Sequence, residues 1–317
     1  MSAQLQELAQ RIQANVARVL IGKERVIEMA LVALFCEGHL LAEDVPGTGK
    51  TMMTRALALS CGVQFSRIQF TPDLLPSDVT GVSVYNQKSA EFEYRPGPIL
   101  AHIVLADEIN RATPRTQSAL LECMEERQVT VDGVTRPLPR PFLVFATQNP
   151  VEQEGTFPLP EAQLDRFFLK LALGYPSLEE EDAMLARLQH GHPIEQIQPV
   201  ASPADLLAAQ GAVRSIHVAD EVRRYIAELV HGTRRHEDAA IGASPRGSLS
   251  LFRAAQALAA VRGRAYVIPD DVKTMALPVL GHRIVLKPES RLRGRSVERL
   301  LAAVLDAVEV PVEAGQR

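Results

Sequence analysis

A glycine-rich turn between an apolar run and a helix-like segment carries the side chains best suited to chemistry. The apolar run spans residues 40–42, and the turn after it has the sequence Val45-Pro46-Gly47-Thr48-Gly49-Lys50-Thr51. Glycines let backbone amides face a phosphate, a lysine ammonium reaches the β- and γ-phosphates, and a threonine hydroxyl binds Mg²⁺. The turn therefore predicts a nucleoside triphosphate with Mg²⁺, bound through Pro46, Gly47, Thr48, Gly49, Lys50, Thr51 and Met52.

The first position of this turn departs from the full phosphate-loop pattern. The pattern G-x-x-x-x-G-K-[ST] would place a glycine at position 44, where this chain has Asp44. A carboxylate close to phosphates weakens their binding unless it points away or is paired. We therefore expect Asp44 to face outward at the base of the loop.

Two acidic residues follow another apolar run. Residues 103–106 are continuously apolar, which is typical of a strand buried on both faces, and Asp107 and Glu108 come directly after them. Hydrolysis of a triphosphate requires a bound Mg²⁺ and an activated water. Asp107 would hold the hydration shell of the Mg²⁺ that Thr51 ligates, and Glu108 would accept the proton of the attacking water. The alternative is a strand that merely ends in two acids, and the phosphate-binding turn upstream disfavours it.

The apolar runs also predict the architecture. Five of them, separated by helical segments, indicate a parallel α/β sheet, which binds ligands at the carboxyl ends of its strands. They lie at residues 40–42, 63–70, where polar and apolar residues alternate, 103–106, 142–145 and 168–171. From residue 175 onward Ala, Leu and Arg dominate with helical periodicity, which predicts an all-helical second domain. The expected domains are residues 1–174 and 175–317.

Composition narrows the functional class. The chain has 317 residues, of which 46% are hydrophobic, and its net charge of −4 argues against a general affinity for nucleic acid. No apolar run approaches the length of a membrane-spanning helix, so we expect no membrane insertion. Cys36, Cys61 and Cys123 are scattered, which favours buried thiols over disulfides or a zinc site. The N-terminal segment has a helix pattern rather than that of a signal peptide, and we expect a cytoplasmic location.

Further motifs follow the phosphate-binding turn in a fixed order along the chain. They are Asp107-Glu108-Ile109-Asn110-Arg111-Ala112, Asn149 after the fourth apolar run, Glu161-Ala162-Gln163-Leu164-Asp165-Arg166-Phe167, and Ser244-Pro245-Arg246. In this order they resemble the AAA+ ATPases and, within them, the MoxR family. The resemblance implies a P-loop core on a parallel five-stranded sheet, a smaller all-helical lid domain, and ATP hydrolysis. A guanine-recognition element Asn-Lys-x-Asp is absent from the sequence, which favours ATP over GTP.

The resemblance implies roles for two residues near the reacting phosphate. Asn149 would be sensor 1, which orients the attacking water; an Asn-Pro chain reversal is the alternative. Arg166 would be the arginine finger that reaches the nucleotide of a neighbouring subunit and offsets charge in the transition state. For Arg166 the alternative is a surface ion pair with Asp165, which would contribute little.

Other features take their expected roles from the same resemblance. Arg246 resembles sensor 2, whose guanidinium would read the γ-phosphate, and Ile21 and Gly22 would line the adenine pocket beside the lid. Two hairpin-like inserts, at residues 82–94 and 128–137, resemble the helix-2 insert and the pre-sensor 1 hairpin. They would face the pore or one rim of a ring and contact a client. A loop connection without a client role is the alternative.

The leading functional hypothesis is an ATP-driven remodelling machine that works as a homo-oligomer, expected to be a hexameric ring. The resemblance suggests a protein client and a von Willebrand A domain partner on a separate chain. The alternative is a nucleic-acid motor or a magnesium-chelatase-like ATPase subunit, which six basic residues would favour: Arg283, Lys287, Arg291, Arg293, Arg295 and Arg299. Acidic residues interrupt this run and no aromatic residues interleave with it, so a solvated helix face or a subunit contact explains it better. A non-hydrolysing scaffold is disfavoured because it would need neither Glu108, Asn149 nor Arg166.

Overall fold

The computed structural model describes residues 2–149, 155–189 and 191–311. The strands of these residues are, in chain order, β1 (Leu40–Glu43), β2 (Phe65–Gln69), β3 (Gly81–Asn86), β4 (Glu91–Pro96), β5 (Ile103–Asp107), β6 (Gln128–Val131), β7 (Val134–Pro137), β8 (Leu143–Gln148), β9 (Leu169–Leu171), β10 (Ala239–Ile241) and β11 (Val285–Leu286). The helices are α1 (Ser2–Ala17), α2 (Glu24–Phe35), α3 (Lys50–Ser60), α4 (Pro76–Thr80), α5 (Pro114–Glu126), α6 (Glu161–Leu164), α7 (Leu178–Leu188), α8 (Pro203–Val213), α9 (Asp220–Arg235), α10 (Pro245–Val261), α11 (Pro269–Leu280), α12 (Pro288–Leu292) and α13 (Val297–Ala307).

The central sheet has five parallel strands in the order β2-β5-β8-β1-β9. The prediction of a parallel five-stranded sheet is confirmed. Residues 103–106 of β5 are buried throughout, because helices cover both faces of a sheet of this kind. The register pairs Glu43 with Gln148 and Ala106 with Ala146. The segments that follow β1, β5 and β8 therefore begin side by side at one edge of the sheet.

The helical lid that follows the sheet is also confirmed. Several of its helices begin at side-chain caps. The Ser177 hydroxyl accepts a hydrogen bond from the Glu180 amide at the start of α7, and the Ser202 hydroxyl accepts one from the Asp205 amide at the start of α8. Helix α11 contains Pro278 in its last turn. The lid is not entirely helical, because the short strands β10 and β11 form an antiparallel pair. Strands of two or three residues leave no periodic pattern to detect.

Apolar packing joins the lid to the N-terminal helices. The larger hydrophobic cluster contains Ile12 of α1, Leu31 of α2 and Leu258 of α10, together with residues on one face of the sheet. The smaller cluster lies on the other face of the sheet and includes Leu120 of α5. The predicted boundary at residues 174/175 thus separates chain segments that share one core. No helix among the described residues is long and apolar enough to cross a membrane.

Two hairpins project from the sheet. Strands β3 and β4 form the first and β6 and β7 the second, at the two predicted inserts. They contact each other through Arg136 of β7, whose guanidinium carbon lies 3.9 Å from the ring centroid of Tyr94 on β4. Near the end of the first hairpin, Tyr85 and Phe92 are paired across the strands with ring centroids 5.3 Å apart. Both rings are exposed to solvent.

Candidate functional site

The turn after β1 has the backbone of an anion-binding loop. Gly47 and Gly49 have φ angles of 84° and 93°, a region that disfavours residues with a Cβ. Helix α3 begins at Lys50, and no side chain caps its first turn. The amides of that turn therefore remain available to an anion, and the helix dipole favours negative charge there.

The ammonium of Lys50 lies against the loop's own backbone. It donates hydrogen bonds to the carbonyl oxygens of Asp44, at 3.0 Å, and Val45, at 2.8 Å. Both acceptors are neutral, so a phosphate oxygen can replace either of them with a stronger, charge-assisted hydrogen bond. Lys50 is thus positioned at the loop that the sequence assigned to phosphate.

The expectation that Asp44 faces outward is wrong. Its residue surface is only 8% exposed, and both carboxylate oxygens accept hydrogen bonds from backbone amides. Oδ1 accepts one from Val45 at 2.9 Å, and Oδ2 accepts one each from Leu173 and Gly174 at 2.8 Å. Three amide donors compensate the charge of the buried carboxylate. The side chain is turned from the loop toward the segment between β9 and α7.

A cavity of about 170 Å³ lies beside the loop. Its walls come from the loop and the start of α3, from the segment between α1 and α2, and from the lid, and include Ile21, Gly49, Met52, Met184 and Leu188. Its apolar lining suits a planar base. Gly22, which the sequence assigned to this wall, does not line the cavity. It lies against Glu180 of α7, and a Cβ at this position would collide with the Glu180 carboxylate.

The acidic end of β5 is held by a threonine from the neighbouring strand. The Thr147 hydroxyl donates to Oδ1 of Asp107 at 2.7 Å and accepts from the amide of Glu108 at 2.8 Å. Thr147 is 1% exposed, so this hydroxyl has one fixed environment. The other oxygen of Asp107, Oδ2, accepts from Nη2 of Arg67 on β2 at 2.7 Å. Both carboxylate oxygens of Asp107 are therefore oriented.

Glu108 has a left-handed backbone, with φ of 57° and ψ of 48°. For a residue with a Cβ this conformation costs about 1–2 kcal/mol, so the surrounding hydrogen bonds must maintain it. The carboxylate is fixed as well: Oε2 accepts from Nε2 of Gln69 at 3.0 Å and pairs with Nε of Arg111 at 3.3 Å. A candidate base is thus placed at the carboxyl edge of the sheet.

Asn149 directly follows β8 and is buried, with 7% of its surface exposed. Its backbone carbonyl accepts a hydrogen bond from Nδ2 of Asn110 at 3.4 Å. Pro150, with which Asn149 would form a turn in the alternative interpretation, lies outside the described residues. Because β5 and β8 are neighbours, Asn149 belongs to the same edge as Asp107 and Glu108.

The candidate arginine finger Arg166 and the candidate sensor 2 residue Arg246 converge on one carboxylate elsewhere in the molecule. Nε of Arg166 lies 3.1 Å from Oε2 of Glu125, and Nη2 of Arg246 lies 2.6 Å from Oε1 of the same residue. Glu125 and both arginines line a separate open cavity. Neither arginine lines the cavity beside the phosphate-binding loop. The alternative pairing of Arg166 with Asp165 is not formed, since Asp165 pairs with Arg283.

The basic run from Arg283 to Arg299 is not uniformly solvated. The side chain of Arg283 is 2% exposed, which contradicts a solvated role for its first member. Burial lowers the pKa of Arg283, and the adjacent Asp165 opposes that shift. The other five members are exposed.

Comparison with known proteins places these features in a family. Residues 39–169 match a family model described as "ATPase family associated with various cellular activities (AAA)", and residues 231–303 match an AAA lid domain. Chaperone MoxR1 of Mycobacterium tuberculosis is 45% identical over 94% of this chain and 81% of its own length. Protein MoxR of Paracoccus denitrificans is 33% identical over 95% of each chain. The chain belongs to the MoxR family of AAA+ ATPases.

Two further relatives cover nearly the whole of this MoxR family member. Uncharacterized protein YeaC of Bacillus subtilis is 55% identical over 94% of this chain and 93% of its own length. A crystal structure of a Cytophaga hutchinsonii protein, assigned in its description as an ATPase, superposes with a TM-score of 0.92 at 40% identity. That superposition covers 98% of this chain and 97% of the other. The fold is therefore that of the family.

The residues present in this MoxR chain fit the nucleotide that the family implies. The first turn of α3 offers uncapped amides, Lys50 rests on replaceable carbonyls, and an apolar cavity adjoins both. The amides suit the phosphates of a nucleotide, the Lys50 ammonium suits their negative charge, and the cavity suits the base.

Sequence reasoning missed three residues that hold the acidic pair. Arg67 and Gln69 flank the buried Ile68 on β2, and Gln69 is in register with Asp107. Polar side chains at the end of an alternating strand were a usable signal, since β2 ends at the same edge. Thr147 gave a weaker one, because a threonine at the end of an apolar run is also a common strand residue. Only the neighbouring strand shows that its hydroxyl binds Asp107.

Proposed function

We propose that this chain hydrolyses ATP with Mg²⁺ and uses the energy to remodel protein clients. One observation carries the proposal: the phosphate-binding loop, the Asp107 and Glu108 pair, and Asn149 follow three adjacent parallel strands at one edge of the sheet. Ligands of such sheets bind at this edge. A site for triphosphate, an oriented carboxylate pair and a buried amide residue are the parts that phosphoryl transfer to water requires.

In this proposal each residue has one role. Lys50 and the loop amides bind the phosphates, and Thr51 and Asp107 hold Mg²⁺, which lowers the charge on the β- and γ-phosphates. Glu108 accepts the proton of the attacking water, and Asn149 orients that water. Ile21 borders the base.

The decisive measurement compares phosphate release by the parent protein and Glu108→Gln. We expect the variant to bind ATP with unchanged affinity and to lose at least about 100-fold in kcat, since a positioned general base contributes that much or more. Glu221→Gln on α9 is the matched control, because Glu221 is an exposed carboxylate in the lid. Equal phosphate release from the parent and Glu108→Gln would remove Glu108 as the base.

We further propose a homo-oligomeric ring, expected to be a hexamer, with ATP between subunits. Arg166 and Arg246 are 35% and 45% exposed and lie together away from the cavity beside the chain's own loop. That position suits two cations that complete the nucleotide site of a neighbour. AAA+ ATPases commonly form such rings, and the guanidinium groups would offset transition-state charge.

A mixing experiment tests the shared site. Arg166→Ala and Glu108→Gln are each expected to be inactive alone. In mixed rings, Glu108→Gln subunits supply Arg166 to sites that retain Glu108, so phosphate release should reappear. Activity of Arg166→Ala as a separated monomer would contradict a finger that acts in the neighbouring site.

The client surface is proposed at the first hairpin, with a von Willebrand A domain partner on another chain. Phe92 is 74% and Tyr85 51% exposed, an aromatic pair of the kind that binds apolar segments. Phe92→Ser should leave basal phosphate release unchanged and reduce its stimulation by unfolded casein about fivefold or more. Leu292→Ser on α12, which is also highly exposed, is the control. Equal stimulation of both variants would exclude the hairpin.

A cytoplasmic location is part of the proposal. The three cysteines are unpaired thiols, and Cys61 and Cys123 are buried. Burial raises the pKa of both to about 12. Unpaired thiols are usual in a reducing compartment.

A further inference from the structure

Asp44 contacts two parts of the molecule at once. Its backbone carbonyl accepts a hydrogen bond from the Lys50 ammonium in the phosphate-binding loop. Its carboxylate accepts hydrogen bonds from Leu173 and Gly174, which connect β9 to the lid. We propose that Asp44 is a positioning residue that couples the nucleotide state of the loop to the connection at residues 173–174. The inference rests on the proposed ATPase function and adds a residue to it.

The contact on the lid side is a strong one. Oδ2 of Asp44 is 2.8 Å from both amides, and charge-assisted hydrogen bonds of this length are about twice as strong as neutral ones. Among the described residues Asp44 forms no ion pair, so backbone amides alone balance its charge. Oδ1 binds the Val45 amide at 2.9 Å, which uses the second oxygen inside the loop. One carboxylate thus links the loop, through Oδ1, to the connection at residues 173–174, through Oδ2.

In this proposal the contact on the loop side changes when a triphosphate binds. Lys50 holds the carbonyls of Asp44 and Val45, and turning its ammonium toward phosphate oxygens replaces these neutral acceptors with stronger, charge-assisted hydrogen bonds. The Asp44 peptide then loses its cationic partner. Any resulting movement of this peptide is carried by its carboxylate to the amides of Leu173 and Gly174.

The connection can transmit this movement to the lid. Gly174 has a φ of 67°, and α7 begins four residues later. None of the residues of α7 is buried, so little apolar packing holds this helix in place. Its other attachments are polar, such as the hydrogen bond from Nη1 of Arg187 to the Arg18 carbonyl at 2.8 Å. Because Met184 and Leu188 of α7 line the cavity beside the loop, a shift of α7 changes the wall of that cavity.

Asp44→Asn tests the coupling with the smallest change of shape. The amide side chain keeps one oxygen for Val45 or the connection and places an NH₂ group against the remaining amides. We expect kcat for ATP to fall about tenfold while the affinity for ATP changes less than about threefold, the signature of an interaction that acts after binding. Gln210→Met is the matched control, because Gln210 makes a buried hydrogen bond of 2.8 Å from the lid to Leu34 far from the loop. The Leu34 carbonyl retains its bond from the Glu37 amide.

Hydrogen exchange distinguishes coupling from a purely structural role of Asp44, because a structural role alone would not make amide exchange depend on the nucleotide. In the parent and in Gln210→Met, we expect a non-hydrolysable ATP analogue to change amide exchange in a peptide covering residues 172–176 by about fivefold or more, a typical coupling. In Asp44→Asn the exchange should be the same with and without the analogue. Asp44→Gly, which restores the common loop glycine, should bind the analogue and also show no change. If Asp44→Asn does not fold, the parent and Asp44→Gly still decide the question.

Two results would overturn the inference. One is unchanged exchange of residues 172–176 in the parent when the analogue binds. The other is a nucleotide-dependent change in Asp44→Asn or Asp44→Gly as large as that in the parent. Failure of the proposed ATPase function is distinguishable, because it would appear as equal phosphate release by the parent and Glu108→Gln, whatever the exchange shows.

Discussion

The guanidinium of Arg283 forms a buried ion pair with the carboxylate of Asp165, with Nε and Oδ1 2.7 Å apart. Arg283 lies in the lid, and Asp165 lies between α6 and β9 next to the candidate arginine finger. The same guanidinium donates through Nη2 to the Phe167 carbonyl at 2.7 Å and through Nη1 to the Val279 carbonyl. Asp165 also accepts a hydrogen bond from the Ser244 hydroxyl at 3.1 Å. The carboxylate of Asp165 thus joins the finger segment to Arg283 of the lid and to the start of α10.

Arg283→Met should destabilise the protein strongly. Removing one partner of a buried, hydrogen-bonded ion pair typically costs about 3–5 kcal/mol, because the remaining polar groups lose their compensation. Asp165 is partly exposed, so we expect a value near the lower end, about 3 kcal/mol. Urea unfolding followed by circular dichroism measures it. Arg291→Met, at an exposed position of the same basic run, is the control and should change stability by less than about 0.5 kcal/mol. Equal effects would contradict the structural role of Arg283.

The sequence predicted which segments meet at the carboxyl edge of the sheet, because the signals for these segments are local. Asp107 and Glu108 directly follow a buried strand, and the loop from Val45 to Thr51 has its own glycine pattern. Parallel strands bring such segments to one edge without further information. The existence of the lid followed in the same way from periodicity.

Partners distant in sequence explain what could not be predicted. Arg283 looked like one member of a basic run, because Asp165 is 118 residues away. Asp44 was expected to face outward, because the two amides that bury its carboxylate are 129 and 130 residues away. Only the packed arrangement of the sheet and the lid brings these groups together. A charged residue carries no local signal of whether its partner is water or a distant amide.

Glu125 should restrain the candidate arginine finger and the candidate sensor 2 arginine in the isolated chain. Its carboxylate binds Arg166 and Arg246 together, so a neighbour's phosphates must compete with it. Glu125→Gln removes this negative charge. We expect the variant to assemble at about fivefold lower protein concentration in the presence of a non-hydrolysable ATP analogue, an effect of roughly 1 kcal/mol for exposed pairs. Sedimentation velocity measures the assembly.

Glu122→Gln on the same helix controls for the loss of one negative charge. Glu122 is exposed and forms no ion pair among the residues that the structure describes. Its substitution should leave the assembly concentration unchanged. If Glu125→Gln and Glu122→Gln assembled alike, competition at the two arginines would be excluded.

Thr147→Val should reduce hydrolysis more than binding. The Thr147 hydroxyl orients Asp107 and fixes the amide of Glu108, while valine has nearly the same shape without the hydroxyl. We expect kcat to fall about tenfold or more with ATP affinity nearly unchanged. The candidate base loses the hydrogen bond that positions it, while the nucleotide keeps all its contacts. Phosphate release and binding of a fluorescent ATP analogue give the two quantities. Thr147→Ser keeps the hydroxyl and should retain most of the activity; a loss as large as that of valine would refute the hydrogen-bond explanation.

His39 should make the stability of the protein depend on pH. The ring is buried at the start of β1, where Nε2 donates to the Met124 carbonyl and Nδ1 accepts from the Val144 amide, each at 3.0 Å. A ring that accepts through Nδ1 must be neutral. Burial, together with the charge of Arg127, lowers the pKa of His39 from its ordinary 6.5 to about 4. Between these two pH values the unfolded chain binds a proton that the folded protein does not.

The sign of the effect follows from this difference. The contribution of His39 to stability is fully present above pH 6.5 and is lost as the pH falls toward 4, by about 1.4 kcal/mol per pH unit. At pH 5 the parent should therefore have lost about 2 kcal/mol through this residue. His39→Gln cannot titrate, so its stability should fall between pH 7 and pH 5 by about 2 kcal/mol less than that of the parent. His231→Gln, at an exposed position, should behave like the parent. Parallel pH profiles for the parent and His39→Gln would show that the ring is not held neutral in the fold.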